Sequence, residues 1–257
     1  MNEKERAVQF HIQCAQGDVG KYCILPGDPG RCRAIAQRFD GAVHVKTNRE
    51  FETWTGELLG ERVSVVSTGI GGPSAAIAME EMYACGMEVA VRMGTVMSIQ
   101  DDMLGQFIIP IASMRRESTS KTYVEESYPA VADLELVNIL NQTAADFGKR
   151  SLNGVSCTMD GFYTQMHDSR FSKECGRDLS RVFEELRALH VCGIDMESAC
   201  MLTVGRLMGV KTAVITMVTV LENLKETLKG QERADAETLL CRVALEGVWR
   251  YAQAHRA

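Results

Sequence analysis

Three arginines, a threonine and a glutamate carry the side chains in this sequence best suited to chemistry, and most of them stand at the ends of apolar runs. PGDPGR (26–31) reads as a helix start, with Asp28 as the capping carboxylate and Pro29 at the first helical position. Gly27 offers an unhindered amide there and Arg31 a forked cation, a pair suited to an oxyanion. A capped helix with a surface arginine satisfies the same residues. Arg92 lies inside the apolar run VAVRMGT (89–95), where an unpaired guanidinium is costly. It needs an anion, either a carboxylate of the protein or a ligand, and Thr95 could add a hydroxyl to the same group. Arg49, in TNREFETW (47–54), is the third arginine. In GIDMESACM (193–201), Asp195 is expected to cap a helix with Met196 and Glu197 in its first turn, where the dipole favours a carboxylate. A half-buried Glu197 needs donors. Sugar hydroxyls would serve, and so would a plain helix N-terminus.

The run VSVVSTGIGGPSAAIAMEEM (63–82) turns on three glycines and a proline before a helical pattern begins. Such a turn can be an anion cradle made of backbone amides. It can equally be a steric device for a tight turn and close backbone approach. The stretch alone does not decide.

The elements that must position these residues alternate. Short β-rich runs at 22–26, 41–45, 62–67, 89–94, 106–113, 152–159 and 211–220 are separated by helical periodicities near 30–39, 73–85, 133–147, 196–208 and 235–253. This predicts an α/β fold with a parallel or mixed central sheet flanked by helices, whose ligand site lies where strands end. No linker or repeat interrupts the chain, so residues 1–257 are expected to form a single domain. The polar stretches 167–190 and 222–237 break the rhythm, as either binding loops or solvated surface helices.

A net charge of −6 argues against general nucleic-acid binding, so an anion must be met by a few placed arginines. The nine cysteines include no C-x-x-C pair and predict reduced, mostly buried thiols in a cytoplasmic setting. MNEKERAVQF lacks the apolar core of a secretory signal, and AVITMVTVL (213–221) is too short to span a bilayer. The five histidines show no metal-binding spacing.

Taken together, PGDPGR, NREFETW, STGIGGPSAAIAMEEM, RMGTVMSIQ, YPAVADLE (128–135) and MESA (196–199) occur in the order found in the uridine phosphorylase branch of the nucleoside phosphorylase superfamily, which the chain resembles from His11 to about Val220. The resemblance implies reversible phosphorolysis of a nucleoside to a free base and ribose 1-phosphate. It also implies a homodimer, assembled further into a hexamer in many relatives. Phosphate is the co-substrate, with no organic cofactor. By this resemblance Gly27, Arg31, Arg92 and Thr95 bind phosphate, joined by Arg49 from the neighbouring subunit. Met196 and Glu197 hold the ribose hydroxyls, and His11 meets the 5′-hydroxyl across the interface. Phe162, Gln165 and Arg170 face the base, and Arg92, Glu197 and Gln165 carry the catalysis. Glu50, the Ile70 carbonyl and Ser74 enclose a metal cation at the interface, so the resemblance makes the glycine turn a support and not the anion cradle. Purine relatives usually place an aspartate after the late strand, whereas MVTVLENLKE (217–226) has none, which favours a pyrimidine.

Two stretches depart from the family pattern. In FYTQMHDSR (162–170) the glutamine comes one residue early and the arginine two residues late. Val96–Met97 replaces a small residue followed by glycine beside the base, which is expected to narrow the base site or shift substrate preference. The leading expectation is uridine phosphorolysis. The alternatives are a purine nucleoside phosphorylase, a nucleoside hydrolase, which the three arginines argue against, and a non-catalytic binding paralogue. Arg92→Ala is expected to abolish phosphate-dependent turnover and leave the fold intact.

Overall fold

The structure, a computed structural model, describes residues 7–256. The first six residues, which carry part of the reading that no secretory signal is present, lie outside the described residues, as does Ala257. The chain opens with β1 (Tyr22–Pro26), α1 (Pro29–Ala36) and the meander β2 (Asp40–Asn48), β3 (Phe51–Leu58) and β4 (Glu61–Val66). Helix α2 (Gly72–Ala84) leads into β5 (Val89–Ser98), then β6 (Phe107–Ile108), β7 (Ala112–Arg116) and β8 (Ala130–Val131). Next come α3 (Leu134–Asp146), β9 (Ser151–Leu152), β10 (Val155–Met159) and a single π-helical turn at Phe162–Met166. The polar insertion folds as α4 (Arg170–Glu174) and α5 (Leu179–Ala188), followed by β11 (Ile194–Asp195), α6 (Ser198–Met208), β12 (Lys211–Leu221) and α7 (Gly230–Ala254).

The mixed central sheet with flanking helices is the expected α/β architecture. Its strand order is β2-β3-β4-β1-β5-β11-β10-β7-β8, with β12 paired to β5 and β6. One expected strand, QFIIPIAS, is two, because Pro110 has no N–H for a ladder and separates β6 from β7. β3 was not foreseen, although its burial alternates along FETWT with Phe51, Thr53 and Thr55 inward.

Period-two alternation divides the core into layers. Tyr22 and Ile24 of β1 face Ile35, Leu140 and Val248, from α1, α3 and α7. Cys23 and Leu25 face Ala75, Met79 and Met82 of α2 and Met201 and Val204 of α6. A strand buried on both faces reads as continuous apolar sequence, hence the YCILP run.

The site is prepared by a gap beside β5. Strand β1 runs parallel to it only as far as the pair Pro26↔Met93. On the same flank β11 takes over, antiparallel, at Ile194↔Met97. Gly94, Thr95 and Val96 lie between these two partners, held from the other side by β12 through Thr216, Met217 and Val218. A sheet that changes partners this way opens a crevice at its strand ends.

Candidate active site

A cavity of about 670 Å³ occupies that crevice, within the range of small-molecule sites. It is lined at one end by Gly27, Arg31, Arg92 and Thr95, and beside them by Glu50 and Glu197.

The cationic end is built at the start of α1. Asp28 caps the helix as expected, its carboxylate accepting from the Gly30 amide at 2.8 Å. This sets Arg31 in the first turn, where its Nη2 donates to Glu237 of α7 at 2.9 Å. The Nε of Arg31 is buried and has no partner. Arg92 is only 4% exposed and meets two carboxylates, donating from Nε to Asp195 at 3.2 Å and from Nη2 to Glu197. Its Nη1 is buried without a partner. The sequence left open whether a protein carboxylate or a ligand satisfies Arg92. Two carboxylates take two of its nitrogens, and the third remains without a partner. Burial pulls the Arg92 pKa down, but Glu197 and Asp195 outweigh it and raise the group above its ordinary value. A permanent cation with a spare buried N–H thus stands in the same cavity as a second one, and buried donors are strongly favoured to find an acceptor.

Glu197 does not lie in the first turn of α6, as the sequence predicts. The helix begins at Ser198, and Glu197 is its flanking residue with no side-chain cap bond. Asp195, on β11, is held by Arg92 and by the Thr158 hydroxyl at 2.8 Å. From there its carboxylate accepts from the Ser198 amide at 3.1 and 3.2 Å, three residues on, a capping contact at the start of the helix. Glu197 is 5% exposed, with one oxygen on Arg92 and the other accepting from the Gly71 amide at 2.7 Å. Gly71 has φ 91, a conformation that favours glycine, so the glycine-rich turn serves the site by presenting an amide to this carboxylate. Burial pushes the Glu197 carboxyl up, Arg92 opposes, Asp195 adds to the rise, and the net direction is upward. Met196 also lines the cavity.

The far end is apolar, walled by Val96, Met97, Phe162, Met166, Ile194 and Val220. The π turn places Phe162 and Met166 in the wall and leaves Gln165 out of it. The Gln165 Oε1 accepts from the Gly161 amide at 2.7 Å, bracing its own turn. Arg170 does not reach the cavity either. Ser169 caps α4 through a reciprocal bond with Ser172, and that helix start turns Arg170 outward, 93% exposed and 2.8 Å from Glu174. The placement of Gln165 and Arg170 against a base is therefore not seen. Val96 and Met97 do reach this end, as their departure from the family pattern implied. Room for Val96 comes from Gly193, where a Cβ would lie 2.9 Å from the Val96 Cγ2, 2.8 Å from the Ile108 Cδ1 and 3.2 Å from the Met97 carbonyl.

Arg49 and His11 are outside the cavity of their own chain. Arg49 forms the exposed β2–β3 turn with φ 54. The carbonyl of His11 accepts from Asn48, beside that turn, at 2.7 Å, and its Nδ1 meets Glu81 at 2.8 Å. Glu50 lines the cavity and accepts from Ser74 at 3.0 Å, while Ile70 is 77% exposed beside them. Among the described residues no cluster of three or more His, Cys, Asp and Glu could hold a metal. Sequence reasoning missed the Thr158–Asp195 clamp and the wall residues Met166, Ile194 and Val220. Only the apolar character of their segments could have pointed to the wall.

The chain is similar to known proteins over most of its length. The family model described as the phosphorylase superfamily matches residues 21–246. A uridine phosphorylase from Thermococcus kodakarensis is 37% identical over 217 residues, covering 84% of this chain and 78% of that protein. One from Treponema pallidum is 36% identical over 244 residues, covering 93% of each. A crystal structure of uridine phosphorylase from Vibrio fischeri ES114 superposes with a TM-score of 0.83 at 27% identity, covering 96% of this chain and 99% of that one.

Proposed function

The chain belongs to the phosphorylase superfamily, and from that membership we propose that it is a pentosyltransferase that catalyses the reversible phosphorolysis of uridine to uracil and ribose 1-phosphate. The observation that carries this reading is the pair of buried, unpartnered guanidinium nitrogens, Arg31 Nε and Arg92 Nη1, in residues lining one cavity with Glu197. A hydrolase of the same fold has no need of such donors.

Phosphate binds at the cationic end, between Arg31, Arg92, the Gly27 amide and Thr95, with Arg49 of the partner subunit completing the clamp. Glu197 and Met196 hold the ribose, and His11 of the partner subunit reaches the 5′-hydroxyl. A phosphate oxygen attacks C1′ as the bond to the uracil nitrogen breaks, and the bonding pair leaves with the base, which takes up a proton. Positive charge develops on the sugar between the phosphate and the Glu197 carboxylate, so the rate comes from positioning and preset electrostatics. The apolar wall around Phe162 and Met166 receives the base and excludes water.

The in-trans roles require a homodimer, the unit that many relatives assemble further into hexamers. Exposed Phe10 and Ile70, at 78% and 77%, stand near the Arg49 turn and support a buried interface there. The oxygen donors of Glu50, Ile70 and Ser74 suit a hard cation shared between two copies. A cytoplasmic location is supported by nine unpaired cysteines, all buried except Cys175. No helix among the described residues is long and apolar enough to cross a membrane.

The test is incubation of the purified protein with uridine, with and without phosphate, and chromatographic measurement of uracil and ribose 1-phosphate, with inosine in parallel. Both products appearing only with phosphate is the expected result. Uracil released without phosphate would make the protein a hydrolase, and turnover of inosine alone would reassign the base.

A further inference from the structure

Asn223 stands two residues past the end of β12 with φ 50 and ψ 28, a left-handed conformation that asparagine enters more readily than most residues. Its carboxamide reaches the loop between the π turn and α4. The Oδ1 accepts from the Asp168 amide at 3.0 Å, and the Nδ2 donates to the Asp168 carboxylate at 2.8 Å. These two bonds fix which end of the carboxamide is oxygen. The Nδ1 of His167, 3.1 Å from that oxygen, is then the ring nitrogen that carries a proton. The imidazole lies 6.0 Å from the ring of Phe162 and 6.2 Å from that of Tyr163. Met166, the next residue back, packs in one cluster with Met97, Leu179, Phe183 and Ile194, and Leu224 packs against it.

Phe162, Met166 and Val220, the last of them three residues before Asn223, all line the apolar end of the cavity and pack in one hydrophobic cluster. One carboxamide therefore ties the turn that follows β12 to the loop that follows the π turn. The Arg187–Glu222 ion pair also reaches this turn, but from α5, at the far end of the insertion. We propose that Asn223 is the positioning residue of the base-side wall, acting through His167 and Asp168 to hold Phe162 and Met166 in the cavity. In calling that wall base-side, the inference rests on the nucleoside reading above.

Amide hydrogen exchange and initial-rate kinetics on the full chain, with Asn223→Ala and Asn223→Gly, test it. Glycine keeps the left-handed backbone available and removes only the carboxamide. Both variants are expected to exchange faster across 161–169, with β5 and β12 as protected as in the parent. The uridine KM should rise about tenfold while the phosphate KM stays within about twofold. A glycine variant matching the parent in exchange and uridine KM would overturn the proposal, as would equal rises in the two KM values. If the parent turns over no uridine, the functional reading fails and exchange alone judges the latch: faster exchange upholds it, unchanged exchange overturns it.

Discussion

Arg92 and Glu197, 105 positions apart in the chain, form a buried ion pair in which Nη2 of the arginine donates to Oε2 of the glutamate. Asp195 shares the same guanidinium. One cation is thus shared by two carboxylates that have almost no access to water, which leaves the ionised triad one negative charge in excess.

That arrangement changes what removal of Arg92 should do. On the sequence alone, Arg92→Ala was expected to spare the fold. With Asp195 and Glu197 left buried and unpaired, it should instead destabilise the protein by about 3–5 kcal/mol. Arg92→Lys keeps a charge and loses the fork, so it should unfold close to the parent temperature while phosphorolysis falls roughly 10²–10³-fold. Thermal unfolding beside the phosphate-dependent assay separates these effects, and a lysine variant with parental activity would remove the anion role.

Glu197 should give stability a pH dependence of definite sign. Its carboxyl is raised in the folded protein, chiefly by burial, above its ordinary value of 4.5. Between that value and the raised one, the folded state binds a proton that the unfolded chain has released, so this contribution to stability falls as pH rises through the window. Glu197→Gln should flatten that fall, measured by urea unfolding from pH 4 to 8 in steps (about one unit each). The same variant should lower kcat/KM for the nucleoside by roughly 10²-fold, because a neutral amide cannot match a carboxylate as an acceptor for two hydroxyls. A parental pH slope in the glutamine variant would mean that another group titrates there.

The α/β class and the residues at the cationic end were legible because local patterns specify them: a proline and an aspartate start α1, and an arginine inside an apolar run demands an anion. β11 was not, since two residues paired to β5 and β10 across the sheet leave no periodic trace. Met166, to which the sequence assigned no role, lines the cavity and Gln165 does not, because the segment folds as a π turn that nothing in FYTQM encodes. The second carboxylate on Arg92 likewise depends on Asp195 being pinned by Thr158, a contact between distant segments.

The close approach of Val96 to Gly193 predicts a coupled pair. Gly193→Ala would press a methyl group against the Val96 Cγ2 and the Ile108 Cδ1, at 2.9 and 2.8 Å. Overpacking of this kind costs roughly 1–3 kcal/mol and should displace Val96 toward the base end of the cavity. The uridine KM should rise with it. Val96→Ala added to Gly193→Ala should recover part of both losses, because the two side chains are in direct contact. Strictly additive effects in the double-mutant cycle would show that Gly193 constrains something other than Val96.

The position of Arg49 leads to a test that a single chain cannot pass by itself. Arg49 is exposed on the β2–β3 turn and is not among the residues lining its own cavity, whereas Arg92 is buried within it. If each site takes Arg92 from one chain and Arg49 from the other, Arg49→Ala and Arg92→Lys homodimers are both impaired at every site. A mixed dimer is different: one site collects both defects and the other collects neither. Random pairing of two co-expressed chains makes about half the dimers mixed, each with one intact site of two, so activity should return to about a quarter of the parent. Two affinity tags allow the mixed species to be isolated, and it should then reach about half. A mixed dimer no more active than its two parents would assign Arg49 to its own chain or to no site at all.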